Sequence, residues 1–234
     1  MNKKKAILLF SGGQDSTTIL GWCLKNYKQV YLLSFDYGQN HRIELRATKK
    51  IIKEMTFICK KYNSNIQENK IYKINSLSNI SKNALTSNIK IDISNKIPNT
   101  FVPGRNLLFF TLACTYGYDK SIFDIVSGVC QTDYSGYPDC RNKTLNALKK
   151  AINLGTESKY KFHSPLMNKS KAETWELAYK IGGKELLEII KKHTHTCYKG
   201  NRKKYNSWGY GCGKCPACLL RKKGWNEFKK KYQI

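Results

Sequence analysis

Arginine and acidic residues are both scarce in this chain. Only six of its 42 basic residues are Arg, and 16 Asp and Glu stand against them, leaving a formal charge of +26. So much positive charge invites a polynucleotide reading. The shortage of Arg, the side chain best suited to grip phosphate and base edges bidentately, argues against it. Lys, Asn and Ile are abundant and spread along the chain, as a strongly AT-biased coding sequence would produce. The charge is read as a solvated basic surface, and no nucleic-acid partner is expected. No apolar run is long enough to span a bilayer. The basic start runs into a short apolar stretch, Ala6 to Phe10, but Ser11 to Asp15 is no small-residue cleavage site. Neither a membrane partner nor a leader is expected. Nine Cys, an odd number, argue against a disulfide framework and for a reducing cytoplasm. A Walker-type loop, GxxxxGK[ST], is absent. The four His, His41, His163, His193 and His195, form no constellation and are read as surface or core residues.

What is present suits one domain, or one with a small appendage: 234 residues, 41% of them hydrophobic. Strand and helix patterns alternate through the first half. Ala6 to Phe10, Val30 to Phe35, Ile71 to Ile74 and Ile122 to Ser127 read as strands. Ser16 to Lys25, His41 to Lys61, Arg105 to Tyr116, Arg141 to Asn153 and Lys171 to Ile181 read as helices. The polar stretch Ser76 to Asn99 reads as an insertion or mobile loop. After Lys191 the chain turns Lys-, Gly- and Cys-rich, and regular structure is harder to read. The predicted class is α/β, a parallel Rossmann-like sheet over residues 1–182. A small C-terminal helical and zinc-binding region follows over 183–234. Ligands of such sheets bind beyond the carboxyl ends of the strands, where strand order reverses. The ends after Phe10, Phe35 and Ser127 are the candidates, each followed by polar residues and Gly.

Ser11-Gly12-Gly13-Gln14-Asp15-Ser16 joins the first strand to the first helix. Paired Gly residues let the backbone turn its N–H groups onto an anion, and the helix start adds partial positive charge. Near the end, Cys212-x-x-Cys215-x-x-Cys218 sets three thiolates on a tight loop, with Cys197 as a fourth from upstream. Four sulfurs at such spacing suit a closed tetrahedral site, structural rather than catalytic. Sulfur count alone leaves iron–sulfur ligation open.

The string SGGxDS resembles the signature of pyrophosphate-loop ATPases, which share an adenine nucleotide alpha hydrolase-like fold and transfer AMP to a substrate oxygen. Further strings narrow the resemblance to the 7-cyano-7-deazaguanine synthase family. They are Phe35-Asp36-Tyr37-Gly38-Gln39, Pro98 to Asn106, Ser135 to Arg141, Lys171-Ala172-Glu173-Thr174 and Gly211 to Cys218. They keep their order over roughly residues 6 to 225. One departure is Asn168 after Ser-Pro-Leu-Met, where that family usually carries an aromatic residue.

The resemblance implies an ATP-dependent ligase of queuosine biosynthesis. It would convert 7-carboxy-7-deazaguanine and ammonia to 7-cyano-7-deazaguanine through adenylated carboxylate and amide intermediates. It implies ATP, Mg2+ and Zn2+, with zinc on Cys197, Cys212, Cys215 and Cys218. ATP would lie on Phe10, Ser11, Gly12, Gly13, Gln14, Asp15, Ser16, Thr17, Thr18, Ile19 and Leu20, and on Asp36, Tyr37, Gly38 and Gln39. Asp15, on the phosphate or magnesium side, Lys171, on phosphate, and Arg105 are the expected catalytic residues. Arg105, Asn106, Gln131, Asp133, Tyr137, Asp139 and Arg141 would face the deazapurine. With no room for a glutamine-hydrolysing domain, free ammonium is the expected nitrogen source, and a homodimer is the expected assembly. Two rivals stay open: a pyrophosphate-loop enzyme acting directly on transfer RNA, and a non-catalytic zinc-ribbon nucleic-acid binder.

Overall fold

The computed structural model describes residues 3–39, 43–74, 77, 80, 83–86, 89, 92, 97–132 and 137–233. Its centre is a parallel sheet of β1 (Lys3–Leu9), β2 (Tyr27–Asp36), β3 (Asn65–Lys73), β4 (Asp124–Val126) and β5 (Lys161–His163). The order is β3-β2-β1-β4-β5. The chain walks outward from β1 to β3, then crosses back to lay β4 on the free edge of β1. The order therefore reverses between β1 and β4, and a crevice opens there at the carboxyl ends.

Strand periodicity divides the core between the two faces of the sheet. Ala6, Leu8 and Phe10 pack on one side, with α1 (Gln14–Asn26), α2 (Ile43–Glu54), α3 (Thr56–Tyr62), α6 (Lys171–His193) and α7 (Pro216–Tyr232). Ile7 and Ile125 pack on the other, with α4 (Arg105–Asp119) and α5 (Asn142–Gly155). The terminal cysteines belong to the first side: Cys197, Cys215 and Cys218 are buried in one cluster with Trp175, Trp208 and Trp225. Between α6 and α7 a short hairpin pairs β6 (Tyr205–Asn206) with β7 (Gly209–Tyr210). No helix among the described residues is long and apolar enough to cross a membrane.

Several elements differ from the sequence reading. The long helix expected over His41 to Lys61 is two helices, and residues 41 and 42 lie outside the described residues. It breaks at the buried Met55, where the Thr56 hydroxyl donates to the Lys53 carbonyl and competes with the helical ladder. β3 begins well before Ile71 because its first residues pair with β2 on an edge whose polar side chains face solvent. The helix read as ending at Ile181 does break nearby, at Gly183 (φ 61°), but then resumes to His193. β5 and α7 carry weak sequence patterns and owe their form to packing. Of Ser76 to Asn99, a large part lies outside the described residues; within it Asn83 and Ala84 are buried.

Candidate active site

The Ser11–Ser16 loop closes on itself through its hydroxyls. Gly12 N–H donates to Ser16 Oγ at 3.1 Å, and Gly13 N–H to Ser11 Oγ at 3.3 Å. Ser16 Oγ lies 3.1 Å from Ser11 Oγ. Gly12 sits at φ +82°, and a Cβ there would meet the Glu44 carbonyl oxygen at 2.5 Å. Only glycine allows both this left-handed turn and the seating of α2 on the loop. α1 starts at Gln14, so its free N–H groups face the same space.

Beyond the loop lies a cleft of about 310 Å³. Phe10, Ser11, Asp15 and Ser16 line it from β1 and α1, and Phe35, Tyr37 and Gln39 from the end of β2. Ser127, Gly128, Val129 and Cys130 follow β4, while Arg105 and Asn106 open α4. The three strand ends singled out in the sequence thus meet in one place. Lys171, at the start of α6, reaches back across 156 residues to Asp15 Oδ2 at 2.6 Å. Its side chain is only 8% exposed, so its charge is held rather than solvated. Ser170 and Glu173 form a capping box that fixes this helix start. Two buried polar atoms here lack a hydrogen-bond partner among the described residues, Asp15 Oδ1 and Arg105 Nε. Both face the cleft, where a ligand or water could satisfy them. Arg105 Nη1 also donates to Tyr37 OH at 3.1 Å.

The other expected contacts divide. Thr17, Thr18, Ile19 and Leu20 are wholly buried, in the stem of α1 rather than at the cleft. Tyr37 N–H donates to Gln39 Oε1, and Gly38 N–H to Asp36 Oδ1, which fixes the turn after β2. Tyr137 lines the cleft and shares a hydrogen with Thr100 Oγ1 at 2.6 Å. Asp139 stands behind that wall, its carboxylate accepting from Asn106 N–H at 3.1 Å and so capping α4. Gln131 and Arg141 are exposed and outside the cleft, and Asp133 lies outside the described residues. Asn168, the departure from the family pattern, accepts from Gln131 Nε2 at 2.7 Å, so a hydrogen bond ties the two loops. Of the histidines, His163 pairs with Asp124 at 2.6 Å and His195 is buried against the Cys197 carbonyl.

The Cys197, Cys212, Cys215 and Cys218 sulfurs all lie within 4.8 Å of one another. Tetrahedral zinc–sulfur bonds place sulfurs about 3.8 Å apart, and Cys212 and Cys218 stand at 3.9 Å. Backbone N–H groups of Lys214 and Cys215 already point at Cys212 Sγ. Their shared hydrogen bond lowers the Cys215 thiol and raises that of Cys218. The donor set is soft, closed and partly poised as thiolate, which fits a four-coordinate metal.

The profile of the family described as "Queuosine biosynthesis protein QueC" matches residues 5–229. The chain belongs to this family. A 7-cyano-7-deazaguanine synthase of Nitrobacter winogradskyi is 48% identical over 226 residues, covering 96% of this chain and 95% of that relative. One of Janthinobacterium sp. is 47% identical over 224 residues, covering 95% of each. Among solved structures, a 4-thiouridine synthetase–RNA complex with bound ATP aligns at 15% identity. That alignment covers 98% of this chain and 52% of that one, with a TM-score of 0.49.

Two residues of this QueC-family chain escaped the sequence reading. Glu44, on the first turn of α2, lines the cleft beside Asp15. Burial pushes its carboxyl up to about 7; Arg105 and Arg221 oppose the shift and Asp15 adds to it. Arg221 is fully buried on α7. It donates to the Trp208 and Ile190 carbonyls and to the Thr194 and Thr196 hydroxyls, all at 2.9–3.0 Å. It thereby ties the end of α6, the segment leading to Cys197 and the hairpin into one piece. Neither offered a sequence signal: Glu44 is a lone Glu in a helical pattern, and Arg221 is one cation among 36 Lys and six Arg.

Proposed function

We propose that this chain is an ATP-dependent ligase making 7-cyano-7-deazaguanine from 7-carboxy-7-deazaguanine and ammonia, the activity its relatives are named for. The observation that carries the reading is the meeting of the Ser11–Ser16 loop, Asp15, Arg105 and the β4 end in one cleft at the switch point. A carboxylate oxygen is a poor leaving group, and adenylation makes it a good one. The loop N–H groups and the α1 start suit pyrophosphate, and Lys171 neutralises charge growing there. Asp15, with its Oδ1 unpaired among the described residues, would hold Mg2+, which would supply shielding of the phosphate charge. Arg105 offers its Nε–H to the carboxylate or the α-phosphate. Tyr137, Asn106 and Val129 form the wall assigned to the deazapurine, with Asp139 holding Asn106 in place. In a first round ammonia displaces AMP and leaves the amide. In a second the amide oxygen is adenylated and lost, leaving the nitrile. The four cysteines are assigned to zinc that holds the C-terminal segment and has no open position for substrate.

The test is reconstitution with ATP, Mg2+, ammonium and the carboxylate, read by mass spectrometry. Nitrile should appear with two AMP per molecule formed, and Asp15→Ala should abolish both products. Nitrile without AMP, or no nitrile from the wild-type protein, would overturn the assignment.

A further inference from the structure

Glu44 is unexplained by anything above. It projects into the cleft from the N-terminal turn of α2, and its own backbone carbonyl is pressed against Gly12. Its Oε1 would lie 3.6 Å from a Cβ placed on Gly13. The carboxylate therefore hangs over the turn assigned to phosphate. A second negative charge there is unfavourable unless a cation comes between it and the anion. Asp15, its neighbour, is already neutralised by Lys171. In a chain with 42 basic residues, the Glu44 carboxylate makes no hydrogen bond or ion pair among the described residues.

The groups facing it are few. Asp15 comes from α1, Arg105 from α4 and Arg221 from α7, the last turned to its own carbonyls and hydroxyls. The His195 ring is occupied with Cys197. Besides the Glu44 carboxylate only Asp15 Oδ1 stands open here among the described residues, fewer oxygens than a divalent cation prefers, and that oxygen is assigned to the magnesium side of the phosphates. A small monovalent cation with protons to give fits better.

We propose that Glu44 is a catalytic residue that receives ammonium in the cleft and takes its proton, delivering ammonia to the adenylated carboxylate. This rests on the ligase reading above. Ammonium gives one proton to the Glu44 carboxylate. The freed lone pair attacks the activated carbonyl carbon, the C–N bond forms, and the C–O bond to AMP breaks with its electrons leaving on AMP. The nitrogen sheds a second proton to solvent, and Glu44 releases its own when product departs. A carboxyl held near neutrality by burial is matched to this exchange at working pH.

Hydroxylamine separates the claims, because near neutrality it is already an unprotonated nucleophile and needs no base to free its lone pair. In Glu44→Gln, ammonium-dependent turnover should fall by about 100-fold or more, with a raised KM for ammonium. Hydroxamate formation from hydroxylamine should fall less than about ten-fold. Glu44→Asp should recover part of the ammonium rate. Calorimetry with ATP tests whether each variant keeps its fold and its nucleotide site, and affinity should hold. Equal losses with both nucleophiles, no loss with either, or loss of ATP affinity would each overturn the proposal. A wild-type protein that makes no product from ammonium would instead sink the ligase reading itself.

Discussion

The Asp15–Lys171 pair shows how far residue-level inference reaches. Each residue sat in a string that pointed to phosphate, but nothing in their separation by 156 positions said they touch. At 2.6 Å from Asp15 and with Lys171 8% exposed, the side-chain ammonium is fixed beside the turn assigned to pyrophosphate. Lys171→Met keeps the stem and removes the charge. ATP-dependent turnover should then drop by about 100-fold or more, the range expected for losing one preorganised charge donor. Steady-state AMP release checks this, and a wild-type rate would remove Lys171 from the chemistry. Glu44 and Arg221 mark the limit of the sequence at this scale: a lone Glu on a helix face, or one more cation in a basic chain, has meaning only once its neighbours are known.

Among elements, the contact of α6 with α7 decides where Lys171 stands. A Cβ at Gly224 would meet Lys171 Cβ at 2.4 Å and the Lys171 backbone at 2.7 Å. The two helices therefore approach closely because this position has no side chain. Gly224→Ala should destabilise by about 1–3 kcal/mol through overpacking, although Ala is the better helix former. Gly155→Ala is the control, since nothing lies within 4 Å of its Cβ position at the end of α5. That change should be neutral or stabilising by up to about 1 kcal/mol. Urea unfolding of both variants is the check, and a Gly224→Ala protein as stable as its parent would refute the packing argument. Element types were legible where apolar periodicity was strong, as in β1, β2, α1 and α4. Ends and breaks were not, because the Thr56 hydroxyl and the φ of Gly183 act locally and leave the pattern intact on either side.

For the whole molecule, the cysteine cluster is part of the main core. Cys197, Cys215 and Cys218 share it with Trp175, Trp208, Trp225 and the sheet residues Leu8 and Leu32. Four thiolates drawn together without a metal would repel one another, so a bound ion would contribute to holding that side of the core shut. Purified protein should carry about one zinc per chain. Cys215→Ser, or stripping with a strong chelator, should lower the melting temperature by roughly 10 °C or more. Metal analysis and calorimetry decide it; a metal-free protein of unchanged stability would show the cluster to be four idle thiols.

By itself the sequence determined the parallel α/β class, the paired-glycine turn between β1 and α1 and the grouping of the four cysteines. Each is written in local spacing: alternation of apolar runs, paired glycines before a helix, short Cys intervals. Only the tertiary structure decided which strand ends meet, that Asp139 caps α4, that Glu44 opens onto the loop and that Arg221 ties the cysteine segment to α6. Those outcomes depend on crossovers between β1 and β4 and on a close helix contact at Gly224. Such contacts join residues far apart in the chain, and no window along the sequence contains both partners.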